Sequence, residues 1–144
     1  MQPAPLGYGA IFKSHWFSGA WSAEQSPLSI AYRELLPIVL AAYLWGPQWA
    51  SQRVEFLCEN ESVVAVLKSG TSRDKSPMVF LRYLTMLAIR HSFSFTASSV
   101  PGKDNQVADA LSRFQFERFG CLVPHADATP SPIPASLLAA LQIP

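Results

Sequence analysis

The stretch from Ile30 to Trp45, IAYRELLPIVLAAYLW, limits the fold more than any other part of the chain. Its residue types read as a helix, entered through a cap at Ser26 or Ser29 and stopped by Gly46-Pro47. Only Arg33 and Glu34 carry charge, so the helix is apolar nearly all round and has to be enclosed. Pro37 lies inside it and is expected to bend it or break its hydrogen-bond ladder locally. A membrane is not the enclosure. The most apolar run, Ile38 to Trp45, is far shorter than the roughly 20 residues a span requires.

The flanking segments supply elements to wrap this helix. Gly7 to Phe12 and Trp16 to Trp21 read as two strands of a hairpin joined at Lys13-Ser14-His15. Val54 to Cys58 reads as a strand, followed by Asn60 and a helical stretch from Glu61 to Lys68. Gly70 to Pro77 is a polar turn, and Met78 to Arg90 a second amphipathic helix whose basic end suits a helix C-terminus. Phe93 to Val100 alternates as a strand does, Pro101-Gly102 ends it, and Asn105 to Phe114 forms a last helix capped by Asp104 or Asn105. The order β-β-α-β-α-α-β-α predicts an α/β (α+β) domain with a mixed sheet. With 144 residues, 49% hydrophobic and 15% charged, there is material for one domain with a real core, and a disordered chain is excluded. After about Glu117 the composition changes. Residues 118–144 contain five prolines and one short apolar run. The expected division is a domain over 1–117 and a Pro-rich linker over 118–144, in which a short docking helix over 135–141 can begin at Pro134.

Charge is unevenly placed. Between Lys68 and Lys103 six basic residues stand against Asp74 alone, leaving that stretch at a net +5 and the rest of the chain at −4. A basic patch on a near-neutral protein fits a polyanionic partner, and a solvated charged surface fits the same charges equally well. Cys58 and Cys121 make neither a disulfide framework nor a metal-ligand spacing, and the N-terminus lacks the start of a signal peptide. The expectation is a reduced, soluble protein of the cytoplasm or nucleus, with no membrane partner.

Three carboxylates stand out. Glu34 lies on the stripe Ile30, Glu34, Ile38, Ala41, Trp45, where an acid is paired, exposed at the helix edge, or held for metal chemistry. Glu59 stands at the carboxyl end of a strand, where open α/β sheets place ligands; the same residue also favours the start of the next helix. Asp109 has Arg113 at i+4, which on its own reads as an exposed ion pair worth tenths of a kcal/mol. His15, His91 and His125 form no recognisable site, and Ser29 and Ser62 lack a neighbouring histidine to activate them. Trp16, Phe17, Trp21, Trp45 and Trp49 read as core.

Four segments carry a resemblance: LGYGAIF at 6–12, AYRELLPIVLA at 31–41, FLCENESVVAVLKSG at 56–70 and VPGKDNQVADALSRF at 100–114. Together they resemble the ribonuclease H domain of retroelement reverse transcriptases. The tail PHADATPSPIP at 124–134 is most similar to the DIRS group, in which a tyrosine recombinase follows that domain. The resemblance implies a ribonuclease H-like mixed sheet and hydrolysis of the RNA strand of RNA–DNA hybrids. It implies two Mg²⁺ ions about 4 Å apart, held by four carboxylates. Matched by motif, the second and fourth are Glu34 and Asp109. The other two depart: Gln2 stands where the first Asp belongs, and Glu59 where the third does. The chain also begins where the family's first, central strand would be ending. By resemblance, then, Glu34, Glu59 and Asp109 are the catalytic and metal-holding residues, and the basic segment makes Lys68, Arg73, Lys75 and Lys103 the expected nucleic-acid contacts. The partners are a hybrid or other nucleic acid and the reverse transcriptase polyprotein body. Activity is expected to be impaired, with an inactive nucleic-acid-binding or accessory module as the alternative.

Overall fold

Two strands and a two-residue turn set one side of the molecule. β1 (Gly7–Phe12) and β2 (His15–Ala20) pair antiparallel from Gly7↔Ala20 to Phe12↔His15, and Lys13 takes the left-handed conformation (φ 56°) that closes the turn. The computed structural model describes residues 7–21, 30–73 and 75–141. Gln2 and the caps expected at Ser26 or Ser29 lie outside these residues. The hairpin is covered on both faces. Tyr8, Ala10, Phe12 and Phe17 join the main core, whereas Ile11 and Trp16 join a second cluster with Leu111, Phe119 and Val123. Large side chains at both parities of the strands follow from that double burial.

α1 (Ile30–Trp45) runs as one helix through Pro37, which withholds its own N–H from the ladder without ending the helix. Leu35, Leu36, Val39, Leu40 and Ala42 on it are almost wholly buried, and β1, α3 and α2 pack around it. Beyond Trp45 a short 3₁₀ turn, Gly46–Trp49, carries Trp49 into the core.

β3 (Arg53–Cys58), α2 (Glu61–Ser69), α3 (Lys75–His91) and β4 (Ser94–Ser99) form a crossover, with β3 and β4 parallel from Arg53↔Ser94 to Cys58↔Ser99. Asn60 caps α2, accepting the Val63 amide hydrogen at 3.0 Å. α3 begins three residues before the expected Met78, because Pro77 needs no amide partner in a first turn. After a 3₁₀ turn at Gly102–Asp104, α4 (Gln106–Ser112) packs on β1. It is shorter than the expected Asn105–Phe114, since Phe114 adopts φ 58° and ends it, and Asn105 makes no side-chain cap bond. Gly9 permits this packing: a Cβ there would collide with the Cβ of Leu111.

The expected single mixed sheet is two two-stranded sheets among the described residues, β1–β2 and β3–β4. β1 and β3 are not hydrogen-bonded to each other, and a cavity of about 270 Å³ lies between them. Among the described residues no helix is long and apolar enough to cross a membrane.

Composition reads residues 118–144 as a linker, but the described part of that stretch is docked. α5 (Phe116–Leu122) crosses the expected boundary, and α6 (Ala135–Leu141) buries Leu137 and Leu141 in the main core. Between them the chain follows β2. The Asp127 amide donates to the Ser14 carbonyl (2.9 Å), the Ser131 amide to the Trp16 carbonyl (2.7 Å), and the Trp16 indole to the Asp127 carbonyl (2.9 Å). The His15 ring meets the Asp127 carboxylate at 2.7 Å. Proline content hides this, because prolines depress helix and strand patterns without preventing a chain from packing as an irregular strap. Leu137→Ala and Leu141→Ala are each expected to lower the unfolding free energy by about 2–5 kcal/mol in urea titrations. An unchanged midpoint would show that the tail does not share the core.

Candidate functional site

The three carboxylates singled out in the sequence line one cavity of about 310 Å³, with Arg33, Asn105 and Tyr8 among its walls. Each arrives on a different element. Glu34 sits in the second turn of α1, half-buried because that helix is enclosed. Glu59 follows the last residue of β3, where both parallel strands end and the Val100 amide donates to the Cys58 carbonyl at 2.8 Å. Asp109 lies on α4, which Gly9 allows to approach the hairpin.

Glu34 and Glu59 influence each other. Burial, then the charge of Glu59, pushes the Glu34 carboxyl above the usual carboxylate range, and Arg33 beside it opposes the shift. The Arg33 Nε–H is buried with no acceptor among the described residues, so one donor at the cavity wall is unused. Glu59 is exposed, and its Oε1 accepts from the Asn105 side-chain amide at 3.4 Å. Gly102 lies alongside: a Cβ there would stand 3.4 Å from Oε1, in ordinary contact. Cys58 is no nucleophile. Burial, then the charge of Glu34, pushes its thiol up to about 12, which keeps it protonated.

Asp109 is held differently. Burial alone would raise its pKa, but hydrogen bonds from Arg113 and Arg118, with their charges, carry it below the usual range. Arg113 Nε donates to Oδ1 at 3.0 Å and Arg118 Nη1 to Oδ2 at 3.1 Å, so both oxygens are engaged. The Asp109–Arg113 pair read from sequence therefore exists, and it is half-buried. Among the described residues no three His, Cys, Asp or Glu side chains gather closely enough to hold a metal ion. The cavity brings the acids to common walls without closing them into a coordination shell.

The basic residues divide into two places, all exposed. Lys103 lies in the 3₁₀ turn that carries Gly102 to Glu59. Lys68, Arg73 and Lys75 lie around the junction of α2 and α3, a nine-residue helix (roughly 13 Å) from the Glu59 end. Sequence reasoning missed three residues. Asn105 was visible only as a candidate cap of the last helix, Arg33 only as the other charge on the apolar helix, and Arg118 stands nine positions beyond Asp109 across a helix break that no periodicity spans.

The chain matches no family model, no curated protein and no solved structure.

The two shifts have opposite pH signatures. Asp109, with a depressed folded-state pKa, stabilises above the ordinary carboxylate range and loses that contribution as pH falls through its folded value. Glu34, with a raised one, lowers stability as pH rises from the ordinary range through its folded value. Asp109→Asn is therefore expected to cost about 1–2 kcal/mol at neutral pH, the partial exposure of Arg118 limiting the loss, and less in acid. Glu34→Gln is expected to raise the melting temperature at neutral pH and leave it unchanged in acid. Melting curves between pH 3 and pH 8 check both signs, and parallel shifts at every pH would contradict them.

Proposed function

We propose that this chain is a ribonuclease H-like domain of retroelement descent, of DIRS type, that engages RNA–DNA hybrids and whose hydrolysis of them is impaired. The observation that carries the reading is the convergence of Glu34, Glu59 and Asp109 on one cavity, from a buried helix, a strand end and a helix packed on the hairpin. Those are the element types from which the resembling family draws its acids.

Two-metal hydrolysis needs several hard oxygen donors around each ion. The residues here do not fit that demand. Gln2 offers a neutral amide in place of an acid, Glu59 carries one methylene more than Asp, and Asp109 spends both oxygens on arginines. No metal-dependent step is therefore assigned to them. What the chain's own groups do is narrower. Glu34 keeps a proton to higher pH than an ordinary carboxylate, Asn105 orients Glu59, and Lys103 meets phosphate beside the cavity, with Lys68, Arg73 and Lys75 further along. The engaged Asp109 equally favours the second reading, an inactive hybrid-binding module that works beside a reverse transcriptase body.

Cleavage of a labelled hybrid in Mg²⁺, compared with duplex DNA, separates the readings. The unmodified chain is expected to cut slowly or not at all, and Glu59→Asp alone to recover little. Gln2→Asp, Glu59→Asp and a strand-forming segment added ahead of Met1 are together expected to restore cutting, which Glu34→Gln then removes. No cutting by that combination would sink the nuclease lineage, and cutting by the unmodified chain at the repaired rate would sink the claim of impairment. Binding is read apart from cutting. Hybrid affinity is expected to fall as salt rises, and Lys68→Ala, Arg73→Ala and Lys75→Ala together to flatten that dependence. Salt-independent binding would exclude these residues as phosphate contacts.

A further inference from the structure

α3 turns Phe80, Leu84 and Leu87 inward, where they have almost no exposed surface. Its outer face is not the uniformly polar one that a helix on the surface of a core usually shows to water. Lys75, Val79, Arg82, Met86 and Ile89 follow one another at intervals of four, three, four and three residues, so they form one row along the helix. All five are exposed: Ile89 keeps 76% of its surface, Val79 39% and Met86 38%. Single exposed apolar side chains are ordinary, whereas three in one row at this period make a seam. Beside the row lies a groove of about 360 Å³, lined by Met78, Leu81, Arg82, Met86 and Ile89, with Gly70 contributed by the end of α2.

The charge around this groove has one sign. Arg82 stands in the row itself, and Arg90 follows Ile89 with its Nη2 4.0 Å from the Met86 sulfur. No acid occurs from Lys75 to Val100, and among the described residues neither arginine is paired with a carboxylate. We propose that this face of α3 docks an acidic amphipathic α-helix of another protein. A helix is the shape the row selects, because apolar side chains spaced at three and four residues are the seam into which a second helix packs. Acidity follows from the arginines, which lose water when an apolar contact closes around them and then need an opposite charge.

Other occupants fit less well. A second copy joined seam to seam about a two-fold axis would set Arg82, the middle of the row, against its own counterpart. A nucleic acid would pair its phosphates with the arginines, but Val79, Met86 and Ile89 offer a phosphate backbone no donor. The groove also has the features of an adaptable contact. Met78 and Met86 are unbranched and repack around a partner's side chains. Gly70 has open space where a Cβ would stand, so a partner can come close to its backbone. The order of the row sets the partner's own pattern: acids opposite Lys75 and Arg82, and apolar residues opposite Val79, Met86 and Ile89.

The test titrates the full chain into a fluorescent peptide of about three heptads, with leucine at the two seam positions and glutamate flanking them. A control peptide carries lysine in place of glutamate. The glutamate peptide is expected to bind saturably and the lysine peptide roughly tenfold more weakly or worse. Met86→Gln with Ile89→Gln is expected to weaken the glutamate peptide by roughly tenfold or more. Arg82→Glu is expected to reverse the preference between the two peptides, a result that loss of folding could not produce. No saturable binding, equal binding of both peptides, or unchanged affinity in the Met86→Gln, Ile89→Gln variant overturns the proposal. Hybrid affinity is expected to be the same in that variant as in the unmodified chain, so the docking face and the hybrid reading stand or fall separately. A hybrid affinity that drops with the variant makes nucleic acid the occupant and overturns the proposal. Self-association of the unmodified chain, or its binding to phosphatidylserine vesicles, overturns it too if the variant abolishes it, because a second copy or a lipid surface would then be what covers the row.

Discussion

Everything in this molecule leans on the burial of α1. Leu36, Val39, Leu40 and Ala42 have no exposed surface, and the hairpin, α2, α3 and the docked α6 all share their core. At about 25 cal/mol per Å² of apolar surface, a helix that buries this many large side chains is a major source of cohesion for a chain of this size. It also explains why a proline is tolerated at position 37: the packing around the helix outweighs one absent N–H. Because Glu34 rides on this helix, its chemistry is inherited from the core. The same burial that holds the fold makes its carboxylate expensive to ionise.

Around that carboxyl the electrostatics are divided. Glu34 and Glu59 repel, an arrangement that invites a proton or a cation, whereas Asp109 is already neutralised by two arginines. One half of the cavity is therefore short of positive charge and the other half supplied with it from within the chain. Arg113 and Arg118 are partly exposed, so their hold on Asp109 is weaker than the geometry alone would indicate. A competing cation would have to displace bonds of modest strength from both oxygens, which is a real but surmountable barrier.

The elements were largely legible because their signals are local. The hairpin shows in alternation and Lys13-Ser14, α1 in its apolar content, and α2 in Asn60 followed by an amphipathic run. Glu34 and Glu59 were legible for the same reason, as acids at odds with their surroundings. What escaped depends on distance. Whether β1 and β3 share a sheet is decided by hydrogen bonds between segments some forty residues apart, and no pattern within either strand records their absence. The docking of the tail depends on main-chain bonds from Asp127 and Ser131 to the hairpin, which composition cannot express. Arg118 reaches Asp109 only because Phe114 turns the chain back at positive φ.

The cavity between β1 and β3 and the acidic cavity are not separate features. Gly9, Glu34, Pro37, Asn105 and Ala108 line both. Whatever occupies the space between the two strands therefore stands against Glu34, and an apolar occupant would further desolvate a carboxyl that burial already disfavours in its charged form.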